Sequence, residues 1–485
     1  MILIPIVAIA FLGLVGASYI TNPFSKFTIV RRPFTIRVVL GTLQAVNNNH
    51  RLRVRQQWYW KLFATLKITV HILSSRYVSS PRSNAKTVDG IIADIHAYRF
   101  NPHKLLLTSG DHFSAMFVRN LGVFYYPVLD TRIPSSAEDW HNRQVTYLQT
   151  VAYALGVFTI HPVPAPTIVT TGAWQATCVN YWAYPSDAVY GILYALAALR
   201  GKESAAPSDY GPKKLHLDTK PAALLLFNEY RDTLIKLYKH YRRTAFDEKT
   251  GLIKRDIHLS GAKDITQRHC AFYDNVIFWK TTELAMKLGI IPTDRAFLAK
   301  LKQTILGAFW LEDAGYFLED LSDEGKEQGH YSSDWLIVLA TGFLDPAKAS
   351  ERAYFSRSVE YIQAMGIDQP MAIKYQHETR AHRQFFWPRV AFASYGGDVV
   401  WSFWGMEYIK TLLLLHEHTG EKAYYQTAQK HLKAYERVMV RDGGFPETMD
   451  KQGNLYQTPF YRSVRQTSWV IGFEQARAMA ARAKR

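Results

Sequence analysis

Residues 443–454 read GGFPETMDKQGN, a polar stretch between two segments of helical periodicity. Two glycines and a proline end the preceding helical pattern sharply, so Glu447 follows in a loop and not on a helix face. A second turn signal, Asp450 to Gly453, comes before helical periodicity resumes near Arg465, and Trp469 lies just beyond. The stretch therefore predicts one carboxylate held by a stiff turn between two helices.

An acid on such a loop, facing a tryptophan, is typical of the carbohydrate sites of helical barrels. The alternative for Glu447 is a solvated carboxylate in an ordinary turn between helices. Aromatic residues make up 14% of the chain, with 12 Trp and 29 Tyr. Because aromatic faces pack well against the C–H groups of sugar rings, we expect a few of these rings to line a basin and most to fill the core.

Composition excludes several kinds of site. The chain has 485 residues, enough for two domains or one large closed architecture. Its two cysteines, Cys178 and Cys270, have no metal-like spacing. The histidines at 377–382 and 416–418 lack the His-Glu-x-x-His spacing, and neither a phosphate-binding glycine loop nor a Gly-x-Ser-x-Gly elbow is found. We therefore expect no metal and no cofactor.

The net charge of +17 is concentrated at the N-terminus. No Asp or Glu precedes Asp89, whereas 12 of the 58 Lys and Arg residues do. These basic residues alternate with apolar and aromatic ones, including Trp58-Tyr59-Trp60, a pattern typical of a segment that lies on anionic lipid next to a membrane. Nucleic-acid binding is the alternative, but the basic stripe does not continue downstream.

Residues 1–20, MILIPIVAIAFLGLVGASYI, have no charged side chain and are about long enough to span a bilayer. They lack the basic start of a signal peptide, and the nearby positive charge all follows them. The positive-inside rule then predicts an uncleaved membrane anchor with the rest of the chain on the cytoplasmic side. The alternatives are a cleaved or outward-facing arrangement and a hydrophobic N-terminus packed into the fold.

A polar cluster at 79–84 separates this region from the rest. We expect an anchor at 1–20, a basic juxtamembrane helical segment at 21–87 and a catalytic domain at 88–485. Within the last of these, helical periodicity recurs without the strand-helix alternation of a parallel sheet. The predicted helices are 88–99, 112–124, 138–156, 185–200, 219–243, 271–288, 293–308, 332–343, 349–364, 398–419, 421–438 and 465–482.

Three turn-rich segments between these helices have a similar make-up and begin at Phe246, Glu312 and Met449. Each places an acidic residue shortly before a glycine and then an apolar residue, which is typical of a tight hairpin turn. Twelve helices in six hairpins can close into an inner and an outer ring of six. The predicted fold is therefore all-α, an (α/α)6 barrel of six helical hairpins with small β-hairpins on one rim.

Two stretches resemble a known group of enzymes. Residues 260–268, SGAKDITQR, followed by Tyr273-Asp274-Asn275, resemble the general-acid segment of trehalases and the related processing α-glucosidases. The stretch from Gly443 to Trp469 is similar to their general-base segment, a Glu followed by an Asp and Gly turn and then a Trp. The resemblance implies a six-hairpin glycosidase that cleaves α-linked glucosyl or mannosyl residues, with Asp264 as general acid and Glu447 as general base.

The resemblance has two departures. Lys263 stands where those families have an aromatic residue, and the Gln-Trp-Asp segment of trehalases is absent, so trehalose is not implied as the substrate. A lysine beside Asp264 also favours the ionised carboxylate, which opposes a role as an acid unless burial outweighs the charge. If the reaction is inverting, the two carboxyl groups are expected to stand about 6.5–9.5 Å apart.

Further residues are expected to bind the substrate. Asp111 resembles the early acidic residue that grips a sugar hydroxyl in related barrels, and it is also a plausible helix N-cap and the fallback acid. We expect Arg268 to clamp sugar hydroxyls or to hold Glu447 charged, with an ordinary surface arginine as the alternative. The tryptophans that are candidates to line the basin are Trp174, Trp182, Trp387, Trp401, Trp404 and Trp469.

Three functional classes stay open at this point. The first is the glycoside hydrolase. The second is a helical barrel that binds glycans or protein partners without catalysis, which the departure at Lys263 favours. The third keeps the fold and changes the reaction to epimerisation or lyase chemistry, with His and Tyr in place of the carboxylate pair. The expected partners are a carbohydrate and, through the N-terminal segment, a membrane, but not nucleic acid.

Overall fold

Helices dominate the part of the chain that the structure describes. The computed structural model describes residues 53–54, 66, 69–70, 72–77, 82–99, 106, 108–109, 116–131, 133–160, 167–172, 175–179, 186–203, 219–257, 259, 262–263 and 265–484. The α-helices are α1 (Val88–Arg99), α2 (Ala137–Ile160), α3 (Ser186–Leu199), α4 (Lys220–Ala245), α5 (Phe272–Leu288), α6 (Arg295–Phe309), α7 (Asp323–Glu327), α8 (Ile337–Thr341), α9 (Ala349–Ala364), α10 (Phe386–Phe392), α11 (Ser402–Thr419), α12 (Lys422–Asp442) and α13 (Val470–Ala483). The mainly helical prediction is confirmed.

Short 3-10 helices and strands complete the described elements. The 3-10 helices are Val118–Leu121, Tyr126–Leu129, Ser333–Leu336 and Ala381–Arg383. The strands are β1 (Arg53–Val54), β2 (Met116–Phe117), β3 (Thr167–Gly172), β4 (Gln175–Val179), β5 (Phe246–Asp247), β6 (Leu252–Ile253), β7 (Trp310–Leu311), β8 (Tyr316–Phe317), β9 (Val400–Trp401) and β10 (Thr448–Met449).

The helices fall into two kinds by burial. In α5 and α11 almost every residue is buried, including polar ones, as expected of helices surrounded by protein. In α12 the buried residues recur at helical spacing along one stripe, from Ala428 through His431, Leu432 and Tyr435 to Met439, and the opposite face is solvated. Helices of the first kind form an inner layer, and helices of the second kind pack outside it.

The inner elements form a closed circuit of contacts. The 3-10 segment Val118–Leu121 packs against α3, which packs against α5. The circuit continues from α5 to α8, from α8 to α11 and from α11 to α13, and α13 returns to Tyr126–Leu129. Outside it, α2 and α4 pack on α3, α6 packs on α5, α9 and α12 pack on α11, and α1 packs on α12.

Consecutive inner helices point in the same direction. Helix α5 ends at Gly289 and α11 at Gly420, both in the left-handed conformation that stops a helix, and an outer helix starts within a few residues and packs back. Because inner and outer helices alternate along the chain, the N-terminal ends of the inner helices lie together at one end of the molecule.

Backbone hydrogen bonds join these N-terminal ends to one another. The first N–H groups of a helix have no partner within it. Here these groups, or those of the residues just before the helix, donate to other chain segments at the same end of the molecule, and we call this set the collar. Its bonds are Phe272 N to Glu319 O (3.0 Å), Ser333 N to Tyr375 O (2.8 Å), Trp401 N to Ile373 O (2.8 Å), Ser402 N to Glu447 O (3.0 Å) and Ser468 N to Thr108 O (3.1 Å).

The predicted hairpins are confirmed at two places. Strands β5 and β6 pair with each other, as do β7 and β8. At the third place the turn from Asp450 to Gly453 forms, with Gly453 N donating to Asp450 O at 2.9 Å. The strand before this turn, β10, pairs mainly with β9, which directly precedes α11. The helix predicted to begin at 398 therefore starts only at Ser402, because Val400 and Trp401 belong to this collar pairing.

One predicted helix is wrong, and a sheet and the short helices α7 and α10 were not predicted. Within 112–124, the described residues form β2 and a 3-10 helix, because this segment lies tightly against α3: a Cβ on Gly191 would stand 2.5 Å from the Val118 carbonyl oxygen. The unpredicted sheet is built around the segment between α2 and α3. Strands β3 and β4 form an antiparallel hairpin, and the full sheet has the order β1-β4-β3-β2.

The predicted anchor at 1–20, and most of the basic segment at 21–87, lie outside the described residues. Among the helices that are described, none combines the length and the apolar character needed to cross a bilayer.

Candidate functional site

Glu447 lies in the collar, between α12 and α13. Helix α12 stops at Gly443, whose φ of 64° suits the left-handed cap, and the chain turns through Phe445 into the collar. The backbone of Glu447 is fixed on both sides, with its N–H donating to Val464 O (2.9 Å) and its carbonyl accepting from Ser402 N (3.0 Å). The prediction that a turn and not a helix face positions this residue is confirmed.

The Glu447 carboxylate is held by two phenols. Tyr395 Oη donates to Oε1 at 2.8 Å, and Tyr461 Oη donates to Oε2 at 3.2 Å. Burial raises the pKa of Glu447 to about 7, although both phenol hydrogen bonds favour the charged form and act in the opposite direction. Only 4% of the residue is exposed. Glu447 is therefore a carboxylate that can accept or release a proton near neutral pH.

Aromatic rings pack around Tyr395, one of the two phenols that hold this carboxylate. The Trp401 ring lies 4.8 Å from the Tyr395 ring and 5.1 Å from the Tyr375 ring, in both cases edge to face. Trp469 stacks against Trp401 at 5.9 Å. Trp401 Nε1 donates to the Tyr395 carbonyl oxygen at 2.7 Å, which ties the residue that binds Glu447 to the start of α11. Trp401 and Trp469 thus pack next to Tyr395 as buried rings, and their predicted contact with a sugar stays a prediction.

Trp404 packs as a core residue. It is fully buried, with its ring edge to face against Phe403 at 4.7 Å and against Tyr273 at 6.3 Å. This position agrees with the expectation that some of the candidate tryptophans fill the core.

A buried charge cluster lies next to these rings. Lys263 Nζ is 2.5 Å from Glu319 Oε1 and 4.7 Å from the centre of the Tyr375 ring, and this ring also contacts Trp401. Gln376 Nε2 donates to Glu319 Oε2 at 2.9 Å, and Arg383 Nη1 donates to the same oxygen at 3.2 Å. One tyrosine ring therefore separates the Glu447 surroundings from this cluster.

The cluster keeps Glu319 ionised. Burial alone would raise the pKa of Glu319, but the charges of Lys263, Arg383, Arg268 and Arg380 outweigh burial and hold the pKa well below its usual value. Burial lowers the pKa of Lys263 to about 8, against the opposing charge of Glu319. Glu319 is therefore unsuited to act as a general acid, because it has no proton to give at neutral pH.

Arg268 is engaged by carboxylates of this cluster. Its guanidinium is buried and donates to Asp334, and it stands 3.9 Å from Glu319. Asp334 lies at the start of the 3-10 helix that leads into α8. Arg268 thus belongs to a buried ion-pair network at the collar. The alternative interpretation, an ordinary surface arginine, is wrong. Its predicted contact with a sugar stays a prediction.

Several predicted residues cannot be located. Asp264, Asp111, Trp174 and Trp182 lie outside the described residues, and so does the side chain of Trp387. Their predicted roles stay predictions. The neighbours of Asp264 are described: Lys263 belongs to the charge cluster, and Thr266 bridges to Gln384 in the loop before α10.

Sequence reasoning missed the two tyrosines that bind Glu447. Tyr395 lies directly before Gly396-Gly397, a turn signal close to the start of α11. This turn signal could have identified Tyr395 as a candidate site residue. Tyr461 lies 14 residues beyond Glu447, in a loop with no distinguishing pattern. The partner of Lys263 was also missed, because Glu319 is 56 residues away and follows an ordinary hairpin.

Comparison with known proteins gives structural similarity at low identity. No protein-family model and no curated protein matches the sequence. A rhamnosidase from Klebsiella oxytoca with rhamnose bound has a TM-score of 0.49 and 11% identity over 82% of this chain, and this chain spans only 65% of the rhamnosidase chain. A glucoamylase from Saccharomycopsis fibuligera has a TM-score of 0.48 and 12% identity, covering 84% of this chain and 98% of its own. A D-mannose isomerase has a TM-score of 0.47 and 10% identity, covering 83% and 100%.

Proposed function

We propose that the protein is a glycoside hydrolase that cleaves α-linked glucosyl or mannosyl residues, with Glu447 as general base. The observation that carries the proposal is the state of Glu447: a buried carboxylate, oriented by two phenols, one of which packs against Trp401, with a pKa raised to about 7 by burial. A general base works best when its pKa is near the working pH. Activation of water for attack on an anomeric carbon needs such a group.

The circuit of inner helices supports the same proposal. We propose that it is the inner ring of an (α/α)6 barrel, with the collar at the mouth. Three kinds of observation support this: the closed series of contacts, the alternation of inner and outer helices, and the hydrogen bonds between N-terminal ends. Such a ring brings residues that are far apart in sequence to one basin.

Asp264 is the proposed general acid. It follows Lys263, which the Glu319 ion pair and the Tyr375 ring fix beside the Glu447 surroundings. The sequence departure at Lys263 weighed against an acid at 264, because a lysine charge favours ionisation of a neighbouring carboxyl group. The close pairing with Glu319 offsets much of that charge, so the departure weighs less against catalysis.

Released reducing sugar tests the proposal. The purified protein is incubated with a panel of α-linked glucosyl and mannosyl disaccharides and glucans, and with β-linked controls. We expect hydrolysis of at least one α-linked substrate, with the product appearing first as the β-anomer in a proton NMR time course, since an inverting reaction reverses the configuration. Sugar binding without any hydrolysis across the panel would support the glycan-binding alternative instead.

A further inference from the structure

An apolar surface lies beside the collar. Nine large apolar side chains are substantially exposed in the part of the chain that the structure describes, and four of them lie on three neighbouring segments. We call these four the lip: Tyr77 (79% exposed), Phe386 (59%), Val390 (52%) and Phe460 (51%).

Hydrogen bonds hold the three segments together. Thr458 Oγ1 donates to the Ala391 carbonyl oxygen of α10 at 2.7 Å, which joins the loop of Phe460 to the helix of Phe386 and Val390. Tyr77 Oη donates to the Pro459 carbonyl oxygen at 3.0 Å. The three segments that carry the lip are therefore joined to one another.

The charges around the lip have one sign. The described segments 72–77, 386–392 and 457–462 contain Arg76, Arg389 and Arg462, and no Asp or Glu. Arg76 and Arg389 are exposed, and Arg76 donates to the side chain of Gln457 across the same junction. Exposed aromatic and aliphatic side chains among arginines are the chemistry that binds the interface of a bilayer with anionic headgroups.

We propose that the lip docks on the surface of an anionic membrane. A sugar fits the lip less well, because Phe386, Val390 and Phe460 offer no hydrogen-bonding group for its hydroxyls. The position along the chain favours a bilayer as well. Residues 72–77 follow the strongly basic N-terminal stretch in the chain, in which no Asp or Glu occurs. The predicted anchor at 1–20 and the lip would then face the same bilayer.

Docking would set the orientation of the candidate site. The buried side of α10 carries Phe392, whose ring lies 5.7 Å from Tyr395 and 5.2 Å from Tyr461, the two residues that bind Glu447. The lip occupies the outer side of the same short helix. A bilayer against the lip would therefore hold the collar end of the molecule next to the membrane. The proposal concerns binding alone and stands whether or not Glu447 is catalytic.

Vesicle flotation of the full chain gives the first test. The test variant is Phe386→Ser with Phe460→Ser. The matched control is Leu224→Ser with Leu225→Ser, which removes two exposed leucines at the N-terminal end of outer helix α4, away from the collar. With vesicles of phosphatidylcholine and phosphatidylserine, we expect the test variant to partition roughly tenfold more weakly than wild type and the control to match wild type. Equal partitioning of both variants contradicts the proposal.

A second measurement separates the lip from the predicted anchor. Cysteine is introduced at Phe460 or, as the control, at Leu225, and a polarity-sensitive dye is attached, with the wild-type chain as the labelling blank. We expect the emission of the dye at 460 to shift to the blue on the mixed vesicles and not on phosphatidylcholine alone, and the dye at 225 to stay unchanged.

Three outcomes of the dye measurement overturn the proposal. An unshifted dye at 460 on a chain that floats with vesicles shows that the N-terminus alone binds the membrane. A dye that is already blue-shifted without vesicles and does not change shows that the chain covers its own lip. A shift caused by a soluble α-glucan in place of vesicles assigns the lip to carbohydrate.

Discussion

Tyr395 and Tyr461 act on the pKa of Glu447 in a known direction. Each phenol donates to a carboxylate oxygen, which stabilises the charged form, while burial stabilises the neutral form and prevails. A base must be deprotonated to work, so activity is expected to fall as the pH drops through about 7. The acid limb of the pH profile thus reports on this one carboxyl group.

Replacing either phenol is expected to move that limb. Tyr395→Phe or Tyr461→Phe removes a hydrogen bond that favours the carboxylate, so the pKa of Glu447 rises and the acid limb of kcat/KM shifts to higher pH. Tyr456→Phe is the matched control, since Tyr456 lies in the same aromatic group but its hydroxyl is not among the described bonds of Glu447. Activity is measured from pH 5 to pH 9. If the acid limb keeps its position in both test variants, the ionisation that controls the rate is not that of Glu447.

Stability should depend on the same carboxyl group. Because the folded pKa of about 7 exceeds the usual 4.5, protonation favours the fold. This contribution is complete below about pH 4.5 and is lost as the pH rises through about 7. Glu447→Gln does not ionise, so above pH 7 it is expected to be the more stable protein by roughly 3 kcal/mol, and near pH 4.5 the difference should vanish. Thermal unfolding at pH 5 and pH 8 checks this, and a pH-independent difference would contradict the pKa shift.

At the residue scale the sequence predicted the turn that holds Glu447 but not the side chains that surround it. The glycines and proline before it are local signals, and a turn needs no knowledge of distant chain segments. Tyr395 and Tyr461 come from other loops, and Glu319 meets Lys263 across a long separation in sequence. Such pairings depend on how the helices pack, and no spacing in the sequence reports that.

At the scale of single elements, two helical glycines with different surroundings make a matched pair. Gly405 lies in α11, where an added Cβ would stand 2.4 Å from the Ala372 carbonyl oxygen and 2.3 Å from Tyr435 Oη. Gly307 lies in α6, and no atom within 4 Å would meet an added Cβ.

The two glycines should respond oppositely to the same substitution. Gly405→Ala is expected to destabilise the protein by about 1–3 kcal/mol, because an inner helix cannot move away from the collar without breaking its packing. Gly307→Ala is expected to stabilise it by up to about 1 kcal/mol, since alanine favours the helix and meets no obstacle. Denaturation midpoints measure both effects. Similar shifts for the two variants would show that α11 is not tightly packed at Gly405.

Most helices could be predicted because their pattern is local. The predicted 349–364 coincides with α9, and 271–288 differs from α5 by one residue. The failure at 112–124 has a tertiary cause, since the segment pairs with β3 and lies against α3. The missed hairpin of β3 and β4 did have a local signal, the β-branched run Thr167-Ile168-Val169-Thr170-Thr171, which favours a strand.

At the scale of the whole molecule, the buried charge cluster joins three distant parts of the chain. Glu319 follows β8, Lys263 and Arg268 precede α5, and Arg380 and Arg383 precede α10. Removing one partner from a buried ion pair leaves an uncompensated charge, which costs far more than removing both partners.

A double-mutant cycle tests the cluster. Glu319→Gln is expected to destabilise the protein by roughly 3–5 kcal/mol, because several cations lose their shared carboxylate. Lys263→Met with Glu319→Gln should cost less than the sum of the two single changes. The surface control is Glu248→Gln, which breaks an exposed pair with Arg242 and should change stability by less than about 1 kcal/mol. Additive effects within the cycle would mean that the pair is not coupled.

The mainly helical architecture could be predicted from periodicity, and a closed ring was expected from the number of helices, but no sequence pattern identified the contacts that close it. A sequence pattern shows which face of a helix is apolar and cannot show that the last inner helix returns to the first. That contact, between α13 and Tyr126–Leu129, involves a 3-10 helix for which the sequence made no prediction. The collar bonds likewise join residues such as Ser468 and Thr108, whose pairing only the folded chain reveals.

The most direct test of the central claim is the steady-state kinetics of Glu447→Gln on an α-linked substrate, together with calorimetric binding of the sugar product. Glu378→Gln, a largely exposed glutamate before α10, is the matched control. The account predicts that kcat falls by roughly 10²- to 10⁴-fold in Glu447→Gln while sugar affinity changes little, and that the control keeps both. A Glu447→Gln protein that retains wild-type kcat would contradict the assignment of Glu447 as the base.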